Sequence, residues 1–442
     1  MIFSSIEFFI FFFIFCISIL TLKNFQRLII IFFSLFFYAY WNINFIFLIL
    51  FYCWITYFLI KKNFNLQISI PILILPLVYF KYSLFLINLL DLSILHTFIY
   101  SGELPLAISF ITFTAIAALV DRKNKDNNDI DIKNFSEYLL YFPQLIAGPI
   151  LRLQELLPQL QKKIIINKEN IKLGILLFCV GYVKKVYFAD NISIMIDPLF
   201  ENPGLANVND LIKGFLLFPI QIYFDFSGYV DMALGISIIF GIKLPINFNK
   251  PYHTSSLTEF WRCWHITLST WFRDYIYIRL GGSKKNKLFT NINLIITMCI
   301  AGLWHGASLN FLLWGFLNGL LLSIEKILNL HKSSNNLLRC FINCFIIFNL
   351  WIIFRINDFS LMHNYFTLLY SNIFSILKID NLFIFIFVIL MIYSQKIDNF
   401  YKLKELSNKI RLSFLVPFVI IILIVGFSIS LGQSQKFIYF QF

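Results

Sequence analysis

One histidine, His305, lies in a long stretch of the chain that carries no charged residue. The stretch covers residues 290–324, 35 positions without Lys, Arg, Asp or Glu. An ionisable side chain in such a segment is costly unless it faces a polar cavity, so it marks a candidate functional site. A neutral imidazole can accept a proton from a hydroxyl near neutral pH. His305 is therefore a candidate general base, and the alternative is a structural histidine that bonds between helices.

A second candidate region, 258–275, combines aromatic and cationic side chains in the sequence TEFWRCWHITLSTWFRDY. On one continuous helix, Trp261 and Trp264 would share a bulky aromatic face. Arg262, His265 and Arg273 would share an adjacent polar and cationic face. Such a face beside a membrane suits a phosphorylated substrate such as an acyl-CoA, or lipid headgroups. An aromatic belt with arginines that reach toward the headgroups gives the same pattern.

Two acidic residues, Asp225 and Asp231, interrupt the apolar segment QIYFDFSGYVDMALG. At a spacing of six residues they do not share one helical face. They could orient a histidine, relay protons, or pair with Arg262 or Arg273. We favour ion pairing over catalysis for this pair.

Several other chemistries lack their sequence patterns. The sequence contains no HExxH, no GxSxG and no Walker A spacing, which argues against a zinc protease, a serine hydrolase and a P-loop enzyme. The seven cysteines form no CxxC pair and read as small buried residues. We predict no metal site.

The composition is that of a membrane protein. Of the 442 residues, 59% are hydrophobic and 13% are charged, and the apolar residues gather in long runs. The net charge is +13, but the Lys and Arg lie in short loops, which indicates anionic lipid and the positive-inside rule, not nucleic acid. The first twenty residues lack a basic start and a small-residue cleavage site, so we expect a first span and not a signal peptide.

The apolar runs predict an all-α polytopic fold of about 10–12 membrane helices in a single domain, 1–442. The uncharged run 28–60 would form a helix ~50 Å long against a hydrocarbon core of ~30 Å, so we expect two helices that break near residues 41–44. The segment 135–161 contains three prolines and Gly148, and predicts a re-entrant or interfacial element followed by an amphipathic helix. Residues 121–133 predict a solvated loop.

Four motifs together resemble one family, the membrane-bound O-acyltransferases. They are YFPQLIAGPILR (141–152), DFSGYVDMALGI (225–236), FNKPYHTSSLTEFWRCWHITLSTWFRDYIYIRLGG (248–282) and AGLWHGAS (301–308). They occur in the family's order and define a motif-bearing core at about 135–325. The most similar branch contains the membrane subunits of alginate and peptidoglycan O-acetyltransferases, with the D-alanyl transfer protein of teichoic acids as a more distant relative.

The resemblance implies a ring of membrane helices around a central channel with re-entrant segments. His305 matches the histidine to which the family's catalysis is usually assigned, and His265 matches a second family histidine. We assign both as catalytic candidates. The residues that we assign to substrate binding are Arg262, Arg273, Trp261, Trp264, Asp225 and Trp304. One departure is Cys263, where many relatives are expected to carry a basic residue.

The resemblance also implies reaction partners. The donor would be acetyl-CoA or another acyl thioester, with no permanently bound cofactor. An extracytoplasmic transferase of the SGNH type would receive the acyl group, and the location would be the bacterial inner membrane. Peptidoglycan is the preferred acceptor, with an alginate-like exopolysaccharide or teichoic acid as alternatives. Outside this class, the intramembrane acids and broken helices also fit a transporter or flippase, or a silent anchor of an envelope complex.

Overall fold

The computed structural model describes residues 1–92, 100, 102–123, 131–284, 286–330, 336–372 and 378–430. In these ranges all regular secondary structure is helical. The part of the predicted loop 121–133 between residues 124 and 130, and the histidines at positions 96 and 331, lie outside them.

Within the described ranges, six helices are long and apolar enough to cross a membrane. They are Ile43–Lys61, Leu66–Leu90, Val208–Ile239, Lys287–His305, Leu337–Arg355 and Leu412–Ser430. Shorter apolar helices are Ile6–Thr21, Gln26–Ala39 and Asn381–Ser394. The prediction of an all-α, multi-pass membrane protein is confirmed.

The chain divides into two compact units, of which the first comprises Met1–Phe178 and Met232–Pro245. Besides the end of Val208–Ile239 and most of Lys168–Tyr182, its helices are Ile6–Thr21, Gln26–Ala39, Ile46–Lys61, Leu66–Leu77, Ser83–Leu90, Ile108–Lys123, Ile132–Leu140, Phe142–Leu145 and Leu153–Leu160. The break expected near residues 41–44 is confirmed. There, the Asn42 side chain accepts a hydrogen bond from the Asn44 backbone at the start of a short 3-10 turn.

The segment 135–161 of the first unit is not one straight helix, as its prolines predict. Two helices, Ile132–Leu140 and Leu153–Leu160, are separated by the single turn Phe142–Leu145. Side chains satisfy the backbone where the helices stop: the Tyr138 hydroxyl donates to the Leu151 carbonyl at 2.7 Å. The broken segment is therefore internally hydrogen-bonded, as a non-helical element in an apolar protein must be.

The second unit comprises Cys179–Asp231 and Ile246–Phe442. Besides the first part of Val208–Ile239, its α-helices are Asp190–Glu201, Leu257–Cys263, Ile266–Phe272, Lys287–His305, Leu309–Ile327, Leu337–Arg355, Phe359–Ser371, Ile379–Ser394, Phe400–Lys409 and Leu412–Ser430. A π-helical stretch, Val183–Ala189, precedes the first of them. Another, Arg273–Tyr277, follows Ile266–Phe272.

Two adjacent buried lysines of the second unit are paired with carboxylates. Lys184 binds Asp231 and Asp398. Lys185 binds Asp190 at 2.8 Å and Asp225 at 2.6 Å, and its side chain is 3% exposed. The expected ion pairing of Asp225 and Asp231 is thus confirmed, although the partners are lysines and not arginines. Charges can remain buried here because each lysine meets carboxylates at hydrogen-bond distance.

The uncharged run 290–324 folds into a hairpin of two helices, Lys287–His305 and Leu309–Ile327. We call them the first and second hairpin helices. Their backbones approach closely at glycines of both helices. A Cβ placed on Gly302 would overlap the backbone oxygen of Phe311, and one on Gly319 would lie 2.6 Å from the Cα atom of Ile295. His305 is the last residue of the first hairpin helix, at the turn of the hairpin.

Gly319→Ala should weaken the hairpin, because the added methyl group meets backbone that cannot rotate away. Overpacking of this kind costs ~1–3 kcal/mol, so the thermal unfolding midpoint of the purified protein in detergent should fall. Gly204→Ala is the matched control, since its methyl group would meet only the end of the Asn364 side chain, at 3.3 Å. Equal midpoints for the two variants would contradict the close approach.

Lys185→Met should destabilise the second unit strongly. Removing the cation leaves Asp190 and Asp225 buried beside each other, and breaking a buried pair in this way typically costs ~3–5 kcal/mol. Lys213→Met is the control, because Lys213 pairs with Asp210 where both side chains are about one third exposed, and such a pair contributes ~0–1 kcal/mol. The expected order of thermal stability is wild type, Lys213→Met, then Lys185→Met. If the two variants unfold together, the buried pair is not stabilising.

Candidate active site

The sequence predicts one helix through 258–275, and this prediction is wrong. The segment forms two short helices, Leu257–Cys263 and Ile266–Phe272, which we call the first and second short helices. Between them Trp264 is extended and His265 is left-handed, with φ of 41°. A left-handed non-glycine residue costs ~1–3 kcal/mol, so its surroundings must hold it in place.

Asn247 supplies that hold. Its carbonyl oxygen accepts from the Ile266 backbone at 2.9 Å, and its side-chain oxygen accepts from the Thr267 backbone at 3.0 Å. In a continuous helix both N–H groups would have donated to the preceding turn. On the other side of the break, the Cys263 carbonyl accepts from the Asn249 backbone at 2.9 Å. The chain at 247–249 thus takes over the bonds that the helix gives up.

His265 is buried at this break, with 1% of its surface exposed. Its Nδ1 lies 3.2 Å from the side-chain oxygen of Asn247. Because an amide oxygen only accepts, this bond requires the proton on Nδ1. The ring packs edge-on against Phe226 at 4.7 Å between centroids. His265 lies outside the candidate membrane spans, and burial lowers its pKa to about 3. The imidazole is therefore neutral near pH 7.

His305 is also buried, with 7% of its surface exposed, and aromatic rings surround it. Trp304, Trp314 and Phe354 stand nearly perpendicular to its ring, with centroids 4.8, 5.4 and 5.0 Å away. This packing fixes the orientation of the imidazole.

A cavity of about 690 Å³ opens at His305. Its walls come from the two short helices, the π-helical stretch after them and the two hairpin helices. Its residues are Thr258, Trp261, Arg262, Ile266, Leu268, Ser269, Thr270, Phe272, Arg273, Tyr277, Leu294, Thr297, Met298, Ala301, His305, Trp314, Leu322 and Lys326. A volume of this size is typical of small-molecule sites.

One wall of the cavity is a single stripe of the first hairpin helix. Its residues recur at helical spacing and therefore lie on one face of the helix. They are Leu294, Thr297, Met298, Ala301 and His305. From Leu294 to His305 the helix rises ~16 Å. The wall is mostly apolar, and His305 ends it.

Cationic side chains also line the cavity and give part of its surface a positive charge. Among the described residues, Arg262, Arg273 and Lys326 line it. Arg273 donates from Nε to Asp274 at 2.7 Å and is 59% exposed. The Lys326 ammonium donates to the Ser283 hydroxyl at 3.2 Å. A cavity that combines an apolar wall with exposed cations suits an elongated ligand that carries anionic groups.

The predicted site residues divide into two groups. Those that line the cavity are His305, Arg262, Arg273 and Trp261. Those that do not are His265, Trp264, Asp225 and Trp304.

Three of the second group have a clear structural environment. Trp264 is buried against the rings of Phe248 and Trp351, with centroids 5.1 and 4.8 Å away. Asp225 is paired with Lys185. Trp304 contacts both histidines, with ring centroids 6.2 Å from His265 and 4.8 Å from His305.

Sequence reasoning missed Trp314 and Lys326. Trp314 lies nine residues after His305 in the same uncharged run, and only the fold of that run into a hairpin brings its ring to 5.4 Å from His305. Lys326 is the second residue after the run, behind Glu325, and this pair of charges is the sequence signal that marks the end of the run.

Metal ligation has no support in the described part of the chain, where no group of three or more His, Cys, Asp or Glu side chains converges. The cavity instead combines an imidazole, hydroxyl groups and cations. An imidazole at the end of an apolar slot can move a proton to or from a hydroxyl or thiol bound there.

Comparison with known proteins gives the family. Residues 33–367 match the model of MBOAT, the membrane-bound O-acyltransferase family. A probable alginate O-acetylase of Pseudomonas aeruginosa is 35% identical over 373 residues, which cover 79% of this chain and 70% of that protein. A peptidoglycan O-acetyltransferase of Helicobacter pylori is 37% identical over 340 residues, 68% of this chain and 64% of that protein.

A more distant relative is a teichoic acid D-alanyltransferase of Streptococcus thermophilus, 30% identical over 237 residues, which cover 50% of this chain and 56% of that protein. Across these and other relatives, the matched part spans 51% to 74% of the relative's own length. The family match extends over about three quarters of the chain and includes the motif-bearing core. This multi-pass membrane protein is an O-acyltransferase and belongs to the membrane-bound O-acyltransferase family.

Proposed function

We propose that this enzyme takes an acetyl group from a cytoplasmic thioester donor, with acetyl-CoA as the first choice, and passes it across the inner membrane for O-acetylation of a cell-envelope polysaccharide. Peptidoglycan is the preferred acceptor. The observation that carries the proposal is the joint presence of His305 and the cationic side chains Arg262, Arg273 and Lys326 in one cavity. Acyl transfer from a phosphorylated thioester needs both a proton acceptor and an anion site.

The reaction follows from the position of His305. Its neutral imidazole takes the proton of the acceptor hydroxyl, and the hydroxyl oxygen attacks the thioester carbonyl. The carbon–sulfur bond then breaks, and the imidazolium returns the proton to the departing thiolate. The perpendicular rings around His305 hold the imidazole in one orientation, which favours proton transfer along one line.

The rest of the cavity would bind the donor. Phosphate oxygens would meet Arg262, Arg273 and Lys326, where guanidinium and ammonium groups form charge-assisted hydrogen bonds. The thioester arm would lie along the apolar stripe of the first hairpin helix, whose length of ~16 Å between Leu294 and His305 suits an extended chain.

The predicted site residues outside the cavity lining receive other roles in this proposal. His265 positions the break between the short helices through its bond to Asn247. Trp304 packs against both histidines, and Trp264 anchors the break in the aromatic core. Asp225 holds Lys185.

The acceptor proposal draws on the relatives, of which one is a peptidoglycan O-acetyltransferase and others are probable alginate O-acetylases. An exopolysaccharide of the alginate type is the second candidate, and D-alanyl transfer to teichoic acid is the third. We further propose that a separate extracytoplasmic transferase of the SGNH type places the acetyl group on the polymer. The enzyme itself would need no bound cofactor.

His305→Ala should abolish acetyl transfer while protein level and membrane insertion stay normal. The measurement is base-released acetate from peptidoglycan and from exopolysaccharide, in a deletion strain that carries wild type or variant. His363→Ala is the control, because His363 is exposed and lies outside the cavity lining.

The outcomes separate the parts of the proposal. Acetate that falls on deletion and returns with wild type and His363→Ala, but not with His305→Ala, supports the function and the role of His305. The fraction that loses acetate names the acceptor. Full restoration by His305→Ala would remove the general-base assignment. Unchanged acetate in every strain would exclude acetyl transfer, and D-alanine release is then the assay for the third candidate.

Arg262→Gln should weaken donor binding and leave the chemical step largely intact. A charge-assisted hydrogen bond contributes ~1.5–3 kcal/mol, so KM for acetyl-CoA should rise by about tenfold or more at low salt. Initial rates of purified enzyme against acetyl-CoA concentration measure this. Arg279→Gln is the control, since Arg279 is exposed nearby and lies outside the cavity lining. If both variants keep the wild-type KM, the donor phosphates bind elsewhere.

A further inference from the structure

We propose that Glu325 is a positioning residue for donor binding, because its carboxylate holds the start of the short helix that carries Trp261 and Arg262 into the cavity. The inference rests on the proposed function, which places the donor at Arg262. Glu325 itself does not line the cavity, so it would act through the helix that it holds.

The contacts of Glu325 are those of a helix cap supplied from another helix. Its Oε1 accepts from the Leu257 backbone at 3.0 Å. Its Oε2 accepts from the Thr258 backbone at 2.9 Å and from the Thr258 hydroxyl at 2.6 Å. Leu257 and Thr258 are the first two residues of the first short helix, whose N–H groups have no partner within that helix.

Local capping alone does not satisfy this helix start. The side-chain hydroxyl of Ser256, the residue before the helix, accepts from the Glu259 backbone at 3.1 Å, two residues beyond the helix start. Glu259 turns back and accepts from the Ser255 backbone at 3.0 Å. The two N–H groups between them depend on Glu325, which is 8% exposed. A buried N–H group that loses its acceptor costs ~1–3 kcal/mol, so the carboxylate fixes where the helix begins.

A second anchor lies two turns earlier on the second hairpin helix. The Trp261 indole donates from Nε1 to the Asn318 side-chain oxygen at 3.2 Å. Seven residues separate Asn318 from Glu325, so both side chains leave the same face of that helix. Trp314, four residues before Asn318, meets the Trp261 ring edge-on at 5.6 Å.

This face of the second hairpin helix therefore grips the first short helix at its start and at Trp261. Arg262 is the next residue after Trp261 and is exposed toward the cavity that it lines. A helix of seven residues has little stability of its own, so the position of Arg262 follows from these contacts. The chemical step depends on His305, which belongs to the other hairpin helix.

The placement predicts a split between kinetic constants. In Glu325→Ala, KM for acetyl-CoA should rise by about tenfold while kcat changes by less than about threefold, because donor placement suffers and His305 does not. Glu325→Gln should lie between wild type and Glu325→Ala, since an amide keeps one acceptor. Glu405→Ala, an exposed glutamate on Phe400–Lys409, is the matched control and should keep both constants.

A double mutant separates positioning from a general loss of stability. If Glu325 acts by placing Arg262, then adding Glu325→Ala to Arg262→Gln should raise KM much less than it does in wild type. Equal effects in both backgrounds would overturn the proposal, as would a fall in kcat at unchanged KM.

A measurement made without the donor tests whether Glu325 holds the first short helix in place. Cys263 ends the first short helix, and burial raises the pKa of its thiol, so its alkylation should be slow in the wild type. Peptide mass spectrometry should show faster alkylation of Cys263 by N-ethylmaleimide in Glu325→Ala, with Cys299 as internal control. An unchanged rate of Cys263 alkylation would show that Glu325 does not hold the first short helix, and would overturn the proposal. A wild-type enzyme that transfers no acetyl group from acetyl-CoA contradicts the proposed donor instead, and the alkylation result still decides the role of Glu325.

Discussion

The cavity depends on a few backbone groups near His265 that bond to the chain at 247–249 and not to their own helix. A continuous helix through 258–275 would satisfy its own N–H and carbonyl groups and would leave no reason to bend. Because the chain at 247–249 accepts and donates those bonds, the helix can stop at Trp264 and restart after His265. In an apolar protein a break without such partners would cost several kcal/mol per group. Because of the break, residues of both short helices line the same cavity. In a single continuous helix, the same side chains would have pointed in several directions around the helix axis.

The hairpin of 287–327 provides another wall of the cavity, and a different constraint shapes it. Glycines at its contact surface let the two helices approach backbone to backbone, so Trp314 reaches His305. Larger residues would push the helices apart and open the aromatic packing that orients the imidazole. The residues that allow this close approach are Gly302 on the first hairpin helix and Gly315 and Gly319 on the second.

Much of the fold could be predicted because its signals are local. Apolar runs indicate the membrane helices, the excessive length of 28–60 indicates a break, and prolines indicate the broken segment 135–161. His305 could be singled out for the same reason, since an ionisable residue in an uncharged run is conspicuous. The break at His265 could not, because helical spacing continues straight through it and the competing acceptor lies eighteen residues earlier, at Asn247. The pairing of Asp225 and Asp231 with Lys185 and Lys184 could not be predicted either, because only the tertiary structure shows whether a lysine or an arginine lies near each acid.

The distribution of cations separates structural charge from charge that a ligand can use. Lys184 and Lys185 are more than 90% buried and held between carboxylates, so an anion could reach them only by displacing Asp231, Asp398, Asp190 or Asp225. Arg273 is mostly exposed, lines the cavity, and uses its Nε for the bond to Asp274. Lys326 donates to a neutral hydroxyl, and a negatively charged phosphate oxygen would be a stronger acceptor than that hydroxyl. Arg262, Arg273 and Lys326 line the same cavity as His305, and theirs is the positive charge that a ligand there could meet. Lys184 and Lys185 instead neutralise the acids that the apolar interior encloses.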